Sequence, residues 1–219
     1  MAQQTAGPTA ALAGVPTGLQ AQGVWVGRRQ LFVRFAAEAE TATMYTAQAI
    51  AQELQRAAKR SAFHSISIGG RDPLANVEFL EAALKAGQLT LPVMLDIDGQ
   101  RPEDIKVLAK HVALVQVTLE GASMDAAVER SLATLKAAAD AGLEHAIVLA
   151  PGEQASDGQL LRIVEQSHAA SEKTVVVIHP PYNTPIDRDR RWVTLIERSA
   201  ALHADVRLSL RLPPPTGTR

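Results

Sequence analysis

The chain has 219 residues, of which 47% are apolar, so it can bury one sizeable core and fits a single domain better than two small ones. Its 22 basic and 23 acidic residues nearly balance and only 4% of residues are aromatic, which disfavours nucleic acid or an anionic membrane as a partner. It contains no cysteine, which excludes disulfides, thiolate zinc sites and thiolate-held iron–sulfur clusters within these residues.

The two ends of the chain differ in composition from its middle. Residues 1–18 are rich in Ala, Gly, Thr and Pro and have neither a basic start nor an apolar run long enough for a signal peptide or a membrane span. We therefore predict a flexible N-terminal segment and a cytoplasmic location. Residues 213–219 begin with three prolines and are predicted to form a flexible tail, which leaves residues 19–212 as one domain.

Short apolar or β-branched runs alternate with longer helical patterns along the rest of the chain. This alternation is typical of repeated βα units around a parallel sheet. The last predicted strand alternates strictly between apolar and polar residues, so we expect it to have one wet face or to lie at an edge. The seven predicted strands are Leu31–Phe35, Ser65–Ile68, Pro92–Leu95, Leu114–Thr118, Ala146–Leu149, Thr174–Ile178 and Val206–Leu210.

Capping residues mark the predicted helices. In the helix expected over Pro73–Ala86, Asp72 is predicted to cap the start and Gly87 to take the left-handed conformation that ends it. Ser156 and Gln159 form a capping-box pattern before a later helix.

The fold predicted from these elements is α/β, with parallel strands in an incomplete, TIM-like barrel. A complete eight-unit barrel takes roughly 250 residues, and no eighth βα unit is recognisable here. Right-handed crossovers place every loop that follows a strand on one rim, at the C-terminal ends of the strands. Chemistry is therefore expected on that rim.

A glycine pair follows the second predicted strand. Gly69 and Gly70 permit close approach of the backbone to a ligand, and their free amides could hold a carboxylate or phosphate. Arg71 could pair with an anionic group of a substrate. The alternative is a tight turn into the next helix, with Asp72 as its cap.

Three acids and one histidine are expected on the same rim. Asp96, Asp98, Glu120 and His179 follow later strands and could gather as an oxygen-rich divalent-metal site with one imidazole. The alternative is that the acids form turns or caps. His179 is the best single candidate for a catalytic residue, because an imidazole can bind a ligand or transfer a proton near neutral pH. The alternative is a buried histidine bonded to a backbone carbonyl.

Several common enzyme classes are disfavoured. No lysine lies at the C-terminal end of a predicted strand, which argues against Schiff-base chemistry. The chain also has no nucleophile elbow, no phosphate-binding Gly-x-x-x-x-Gly-Lys loop and no dinucleotide-binding Gly-x-Gly-x-x-Gly motif.

Two motifs, and the succession of βα units over roughly Leu19–Tyr182, resemble the radical S-adenosylmethionine (SAM) family, most closely its 7-carboxy-7-deazaguanine synthase branch. Residues Leu19–Phe35 are similar to the opening of that branch, a Leu-Gln-Gly-Glu-Gly turn followed by a Phe-Val-Arg strand, with Ala21 and Gln22 as departures. Residues Gly69–Leu74 are similar to the family's Gly-Gly-Glu-Pro-Leu motif, with one extra residue and Asp72 in the place of the Glu.

The resemblance implies a six-unit (β/α)6 partial barrel, a homodimer, and S-adenosylmethionine bound near Gly69, Gly70, Arg71 and Asp72. The chain departs from the family at the position of its Cys-x-x-x-Cys-x-x-Cys motif, where it has Ala37–Tyr45. No [4Fe–4S] cluster is therefore expected, and reductive cleavage of S-adenosylmethionine should not occur.

Three functions remain open from the sequence. The first is a degenerate family member, a pseudoenzyme that binds a small molecule or serves a protein partner. The second is a non-radical, metal-assisted lyase or hydrolase that uses the rim carboxylates and His179. The third is an ordinary (β/α) barrel protein. An incomplete barrel has unpaired edges, and Arg207 and Arg211 on the last strand suggest edge protection or a dimer contact, so we expect a homo-oligomer.

Overall fold

The computed structural model describes residues 7–121, 124–181, 184–186 and 188–210. A ten-stranded sheet with helices between its parallel strands organises this part of the chain. The parallel strands are β3 (Arg29–Phe35), β5 (Ser65–Gly70), β6 (Val93–Ile97), β7 (Leu114–Gly121), β8 (Glu144–Pro151), β9 (Val175–Ile178) and β10 (Val206–Leu208). The antiparallel strands are β1 (Thr9–Gly14), β2 (Thr17–Leu19) and β4 (Thr43–Thr46).

The predicted α/β fold and open partial barrel are confirmed. All seven predicted strands are present, and six strand–helix units run from β3 to the last helix before β10 adds a further parallel strand. The sheet is not closed, because its order runs from β10 at one end to β4 at the other. The α-helices are α1 (Ala47–Arg60), α2 (Val77–Gly87), α3 (Ile105–Leu108), α4 (Met124–Asp140), α5 (Asp157–Ala170) and α6 (Arg190–Ala200). No described helix is long and apolar enough to cross a membrane.

The two faces of the parallel sheet have different chemistry. The residues that pack against the helices are large and apolar, and they include Leu31, Val33, Ile66, Ile68, Leu95, Ile97, Val115 and Val117. The alternate residues, which point into the barrel, are mostly small or polar, and they include Gln30, Ser65, Ser67, Asp96, Gln116 and Thr118. The hydrophobic core thus lies between sheet and helices, while polar groups gather inside the barrel.

The capping residue predicted for the start of α5 is confirmed, and the one predicted for the start of α2 is not. Ser156 caps α5, since its Oγ accepts a hydrogen bond from the backbone N–H of Gln159 at 3.1 Å. Asp72, in contrast, makes no side-chain capping bond; a 3₁₀ turn over Pro73–Asn76 precedes α2. Gly87 is the last residue of α2 rather than the residue after it, and Gln88 takes the left-handed conformation instead.

The N-terminal segment contains strands where the sequence predicts a flexible stretch over residues 1–18. β1 pairs with both β3 and β4 and buries Ala10 and Leu12. β1 follows the period of two with small residues, and alanine is a weak strand former, so no strong signal marks it. Residues 1–6 and the predicted tail 213–219 lie outside the described residues.

Candidate functional site

Four residues singled out in the sequence line one cleft on the rim. The cleft measures about 690 Å³ and lies at the C-terminal ends of β5, β6 and β7. Gly70, Asp96, Asp98 and Glu120 line it, together with Arg130 from α4. The structure therefore brings three of the predicted carboxylates together with one of the predicted glycines.

Asp96 is held by donors from two parts of the chain. Its Oδ2 accepts a hydrogen bond from Gln20 Nε2 at 3.2 Å. Its Oδ1 accepts from Gln116 Nε2 at 3.2 Å and from Thr118 Oγ1 at 3.4 Å. The half-buried carboxylate is thus fixed in orientation at the floor of the cleft, with its charge stabilised by neutral donors.

The loop over residues 20–28 enters the barrel and makes these contacts possible. The backbone N–H of Val24 donates to Gln116 Oε1 at 3.0 Å, and that of Gly23 donates to His179 Nε2 at 2.9 Å. Gly23 has a φ of 81°, and a Cβ there would lie 1.9 Å from Gln116 Oε1, so both the backbone and the space favour glycine. Gln22 Nε2 reaches Thr118 Oγ1 at 3.3 Å.

His179 is buried, with a relative exposure of 1%, and its Nε2 accepts the hydrogen bond from the backbone N–H of Gly23. Because the N–H of Gly23 can only donate, the bonded Nε2 is the unprotonated ring nitrogen, and the neutral ring carries its proton on Nδ1. His179 lines a second cleft of about 220 Å³ with Glu120, Pro180 and Pro181. Proton transfer through Nε2 would require the Gly23 contact to break.

The geometry of the three carboxylates of the cleft bears on the predicted metal site. Among the described residues, no group of three or more His, Cys, Asp or Glu side chains could hold a metal ion. Asp98 is engaged locally, since its Oδ2 accepts from Gln100 Nε2 at 2.8 Å. The divalent-metal site predicted from Asp96, Asp98 and Glu120 therefore gains no support from the geometry.

The glycine pair is required by the close packing of strand ends. Gly70 has a φ of 98°, and a Cβ on it would lie 2.3 Å from the carbonyl oxygen of Phe35. A Cβ on Gly69 would lie 3.1 Å from the carbonyl oxygen of Asp96. Any larger residue at Gly70 would push apart the paired ends of β3 and β5.

The two charged residues after the glycines make salt bridges outside the cleft. Arg71 Nη2 lies 2.7 Å from Glu38 Oε1, and both side chains are exposed. Asp72 Oδ2 accepts from Arg101 Nε at 3.1 Å, and this hydrogen bond and charge raise the pKa of Arg101. Of the predicted cofactor-binding set, Gly70 alone is among the residues that line the 690 Å³ cleft.

A family model for the radical SAM superfamily matches residues 34–164, which is more than half of the chain. The chain belongs to the radical SAM superfamily. No curated protein matches it. Among solved structures, a truncated 3-deoxy-D-arabino-heptulosonate 7-phosphate synthase from Thermotoga maritima is similar at 12% identity and a TM-score of 0.39, over 84% of this chain and 82% of that one.

The radical SAM family implies a [4Fe–4S] cluster on three cysteines in the loop after the first barrel strand, and this chain does not fit it. Ala37–Tyr45 supplies no thiolate. Glu40 in this loop instead bonds Arg34 Nη2 at 3.0 Å and the backbone N–H of Ala37 at 3.1 Å. The loop then enters β4, which pairs with β1.

Four polar residues of the site are not among those predicted from the sequence: Gln20, Gln22, Gln116 and Thr118. Gln116 and Thr118 were detectable, because they alternate with Val115 and Val117 and so must face the inside of the barrel. Gln20 and Gln22 lie in a loop without periodicity, and no local signal shows that this loop enters the barrel.

Proposed function

We propose that this chain is a radical SAM superfamily member that binds a small ligand in the rim cleft and performs no radical chemistry. The observation that carries the proposal is an acidic cleft at the C-terminal rim beside a first loop without cysteine. Reductive cleavage of S-adenosylmethionine needs an electron from a cluster, and residues Ala37–Tyr45 offer no thiolate to hold one. The protein then acts as a ligand-binding or accessory protein.

The charge of the cleft supports a cationic ligand. Among the described residues, the charged groups of its lining are the carboxylates Asp96, Asp98 and Glu120 and the guanidinium of Arg130. A lining with an excess of negative charge favours a cation, most strongly where solvent is partly excluded. S-adenosylmethionine carries a sulfonium and an ammonium, and the resemblance of Gly69–Leu74 to a SAM-binding motif supports the same ligand.

Isothermal titration calorimetry on the full chain tests the proposal. We expect S-adenosylmethionine to bind at least about tenfold more tightly than S-adenosylhomocysteine, which lacks the sulfonium charge; tenfold corresponds to roughly 1.4 kcal/mol. Asp98→Asn should weaken S-adenosylmethionine binding and so reduce the difference in affinity between the two compounds. Asp140→Asn, at an exposed position of α4, serves as the control. Equal affinity for the two compounds, or no binding, contradicts the proposed ligand.

The absence of radical chemistry is tested separately. After anaerobic incubation with iron, sulfide and reductant, the protein should show no cluster absorption and should release no 5′-deoxyadenosine from S-adenosylmethionine. Release of 5′-deoxyadenosine would show that another group supplies the electron, and it would overturn this part of the proposal.

A further inference from the structure

A salt bridge joins two of the loops that border the rim cleft. Asp72 lies in the loop after β5 and Arg101 in the loop after β6. The Nε of Arg101 donates to Oδ2 of Asp72 at 3.1 Å. Neither side chain lines the cleft itself.

Both members of this pair have strained backbones. The φ of Asp72 is 38° and that of Arg101 is 54°, which is the left-handed region that side chains with a Cβ avoid. Each also precedes a proline, Pro73 or Pro102, and a residue before proline is normally extended. Such conformations persist only where the surroundings fix them.

The two residues with strained backbones before proline are also the two that form the salt bridge. Three described residues other than glycine have a positive φ: Asp72, Gln88 and Arg101. The two that precede a proline are the two that pair with each other. In addition, Asp72 Oδ1 is buried and makes no hydrogen bond to any described residue, which is an unfavourable environment for a carboxylate oxygen. Because the Asp72–Arg101 pair occurs together with two strained backbones and an unsatisfied carboxylate oxygen, it indicates a role beyond stability.

The salt bridge connects the two walls of the cleft. Gly70 lies two residues before Asp72, and Asp98 lies three residues before Arg101. The loop after β6 is also anchored to α4, because Arg130 Nε donates to the carbonyl oxygen of Asp98 at 3.1 Å. A fixed Arg101 therefore sets the position of the Gly70 wall relative to Asp98.

We propose that Asp72 and Arg101 are positioning residues, which hold the Gly70 backbone and the Asp98 carboxylate at the separation that the ligand requires. The inference rests on the proposed ligand-binding function of the same cleft. It adds that ligand affinity depends on a salt bridge whose two side chains do not contact the ligand.

Arg101→Gly separates positioning from stability, because glycine relieves the left-handed strain while it removes the salt bridge. We expect the denaturation midpoint to stay at or above that of the wild type, while S-adenosylmethionine binding weakens at least about tenfold. Asp72→Asn, which tolerates the left-handed conformation, should weaken binding in the same way. Arg207→Gln cuts a comparable exposed Arg–Asp pair on β10 and should leave the affinity unchanged.

Hydrogen exchange on the ligand-free protein keeps this inference distinct from the proposed ligand. Amides of residues 70–76 should exchange several-fold faster in Arg101→Gly and Asp72→Asn than in the wild type and Arg207→Gln. If the wild type binds no S-adenosylmethionine but these amides exchange faster, the proposed ligand is wrong, while the ordering of the loop after β5 by the salt bridge stands. If exchange is unchanged, or if both variants bind as tightly as the wild type, the positioning role is overturned.

Discussion

At the scale of single residues, His64 shows how the loop that enters the barrel affects a titratable group. Its ring meets Trp25 edge to face, with centroids 5.0 Å apart, and its Nδ1 lies 2.9 Å from Ser65 Oγ. Burial lowers the pKa of His64, and the positive charge of Arg28 lowers it further. The folded protein therefore binds a proton at this site less readily than the unfolded chain does.

This lowered pKa predicts a pH dependence of stability. The contribution of His64 is fully present above its ordinary pKa of about 6.5 and is lost as pH falls through the lower folded value, because the unfolded chain then takes up the proton first. Denaturant midpoints measured from pH 7.5 to pH 5 should fall less steeply in His64→Asn than in the wild type. His111→Asn is the matched control, and an equal slope in all three proteins would refute the assignment.

At the scale of elements, the parallel strands could be predicted and the N-terminal strands could not. Runs such as Val175–Ile178 are solidly apolar because both sheet faces are covered, and this composition is visible without any knowledge of the fold. β1 depends on a partner that follows it in the chain, since its residues pair with β3 and with Thr43–Thr46. Its short alanine-rich sequence has little intrinsic preference for a β-strand.

The packing of β1 can be tested with two leucine substitutions. Leu12 is fully buried in the core beneath β1, so Leu12→Ala should lower the free energy of unfolding by about 2–5 kcal/mol. Leu19 in β2 is 52% exposed, and Leu19→Ala should change the free energy of unfolding by less than about 0.5 kcal/mol. Urea denaturation followed by circular dichroism measures both. Similar effects for the two variants would show that β1 does not pack as described.

The site likewise combines residues that local sequence predicts with contacts that depend on distant parts of the chain. Gly70, Asp96, Asp98 and Glu120 could be placed together because the rim of a parallel barrel collects strand ends. The contact between Gly23 and His179 spans 156 positions in the chain, and it depends on the docking of a loop. Contacts of this kind leave no trace in local composition, so His179 could be singled out from the sequence while its partner Gly23 could not.

At the scale of the whole molecule, the open sheet leaves two different edges. β10 carries Arg207, a charge of the kind that protects an edge from pairing. β4 has the sequence Thr-Met-Tyr-Thr, without charge or proline, and its Met44 is 64% exposed. Within the described residues, β4 is thus the edge better suited to pair with a second copy of the chain.

We expect a homodimer that pairs through β4. Light scattering at micromolar concentration should give a dimer mass for the wild type and a lower mass for Met44→Lys, because two charges would meet across the two-fold axis. Val193→Lys places the same charge at a position of α6 that is 47% exposed and should remain dimeric. A monomeric wild type would contradict the prediction.

The loop over residues 20–28 has a consequence for modularity. It brings Gln20, from before the first barrel strand, onto the same carboxylate as Gln116 from the fourth, and it joins Gly23 to His179 at the end of the sixth. The site is therefore assembled from the beginning, the middle and the end of the domain. No single βα unit contains it, and neither half of the barrel, cut from the other or grafted onto another scaffold, would retain it.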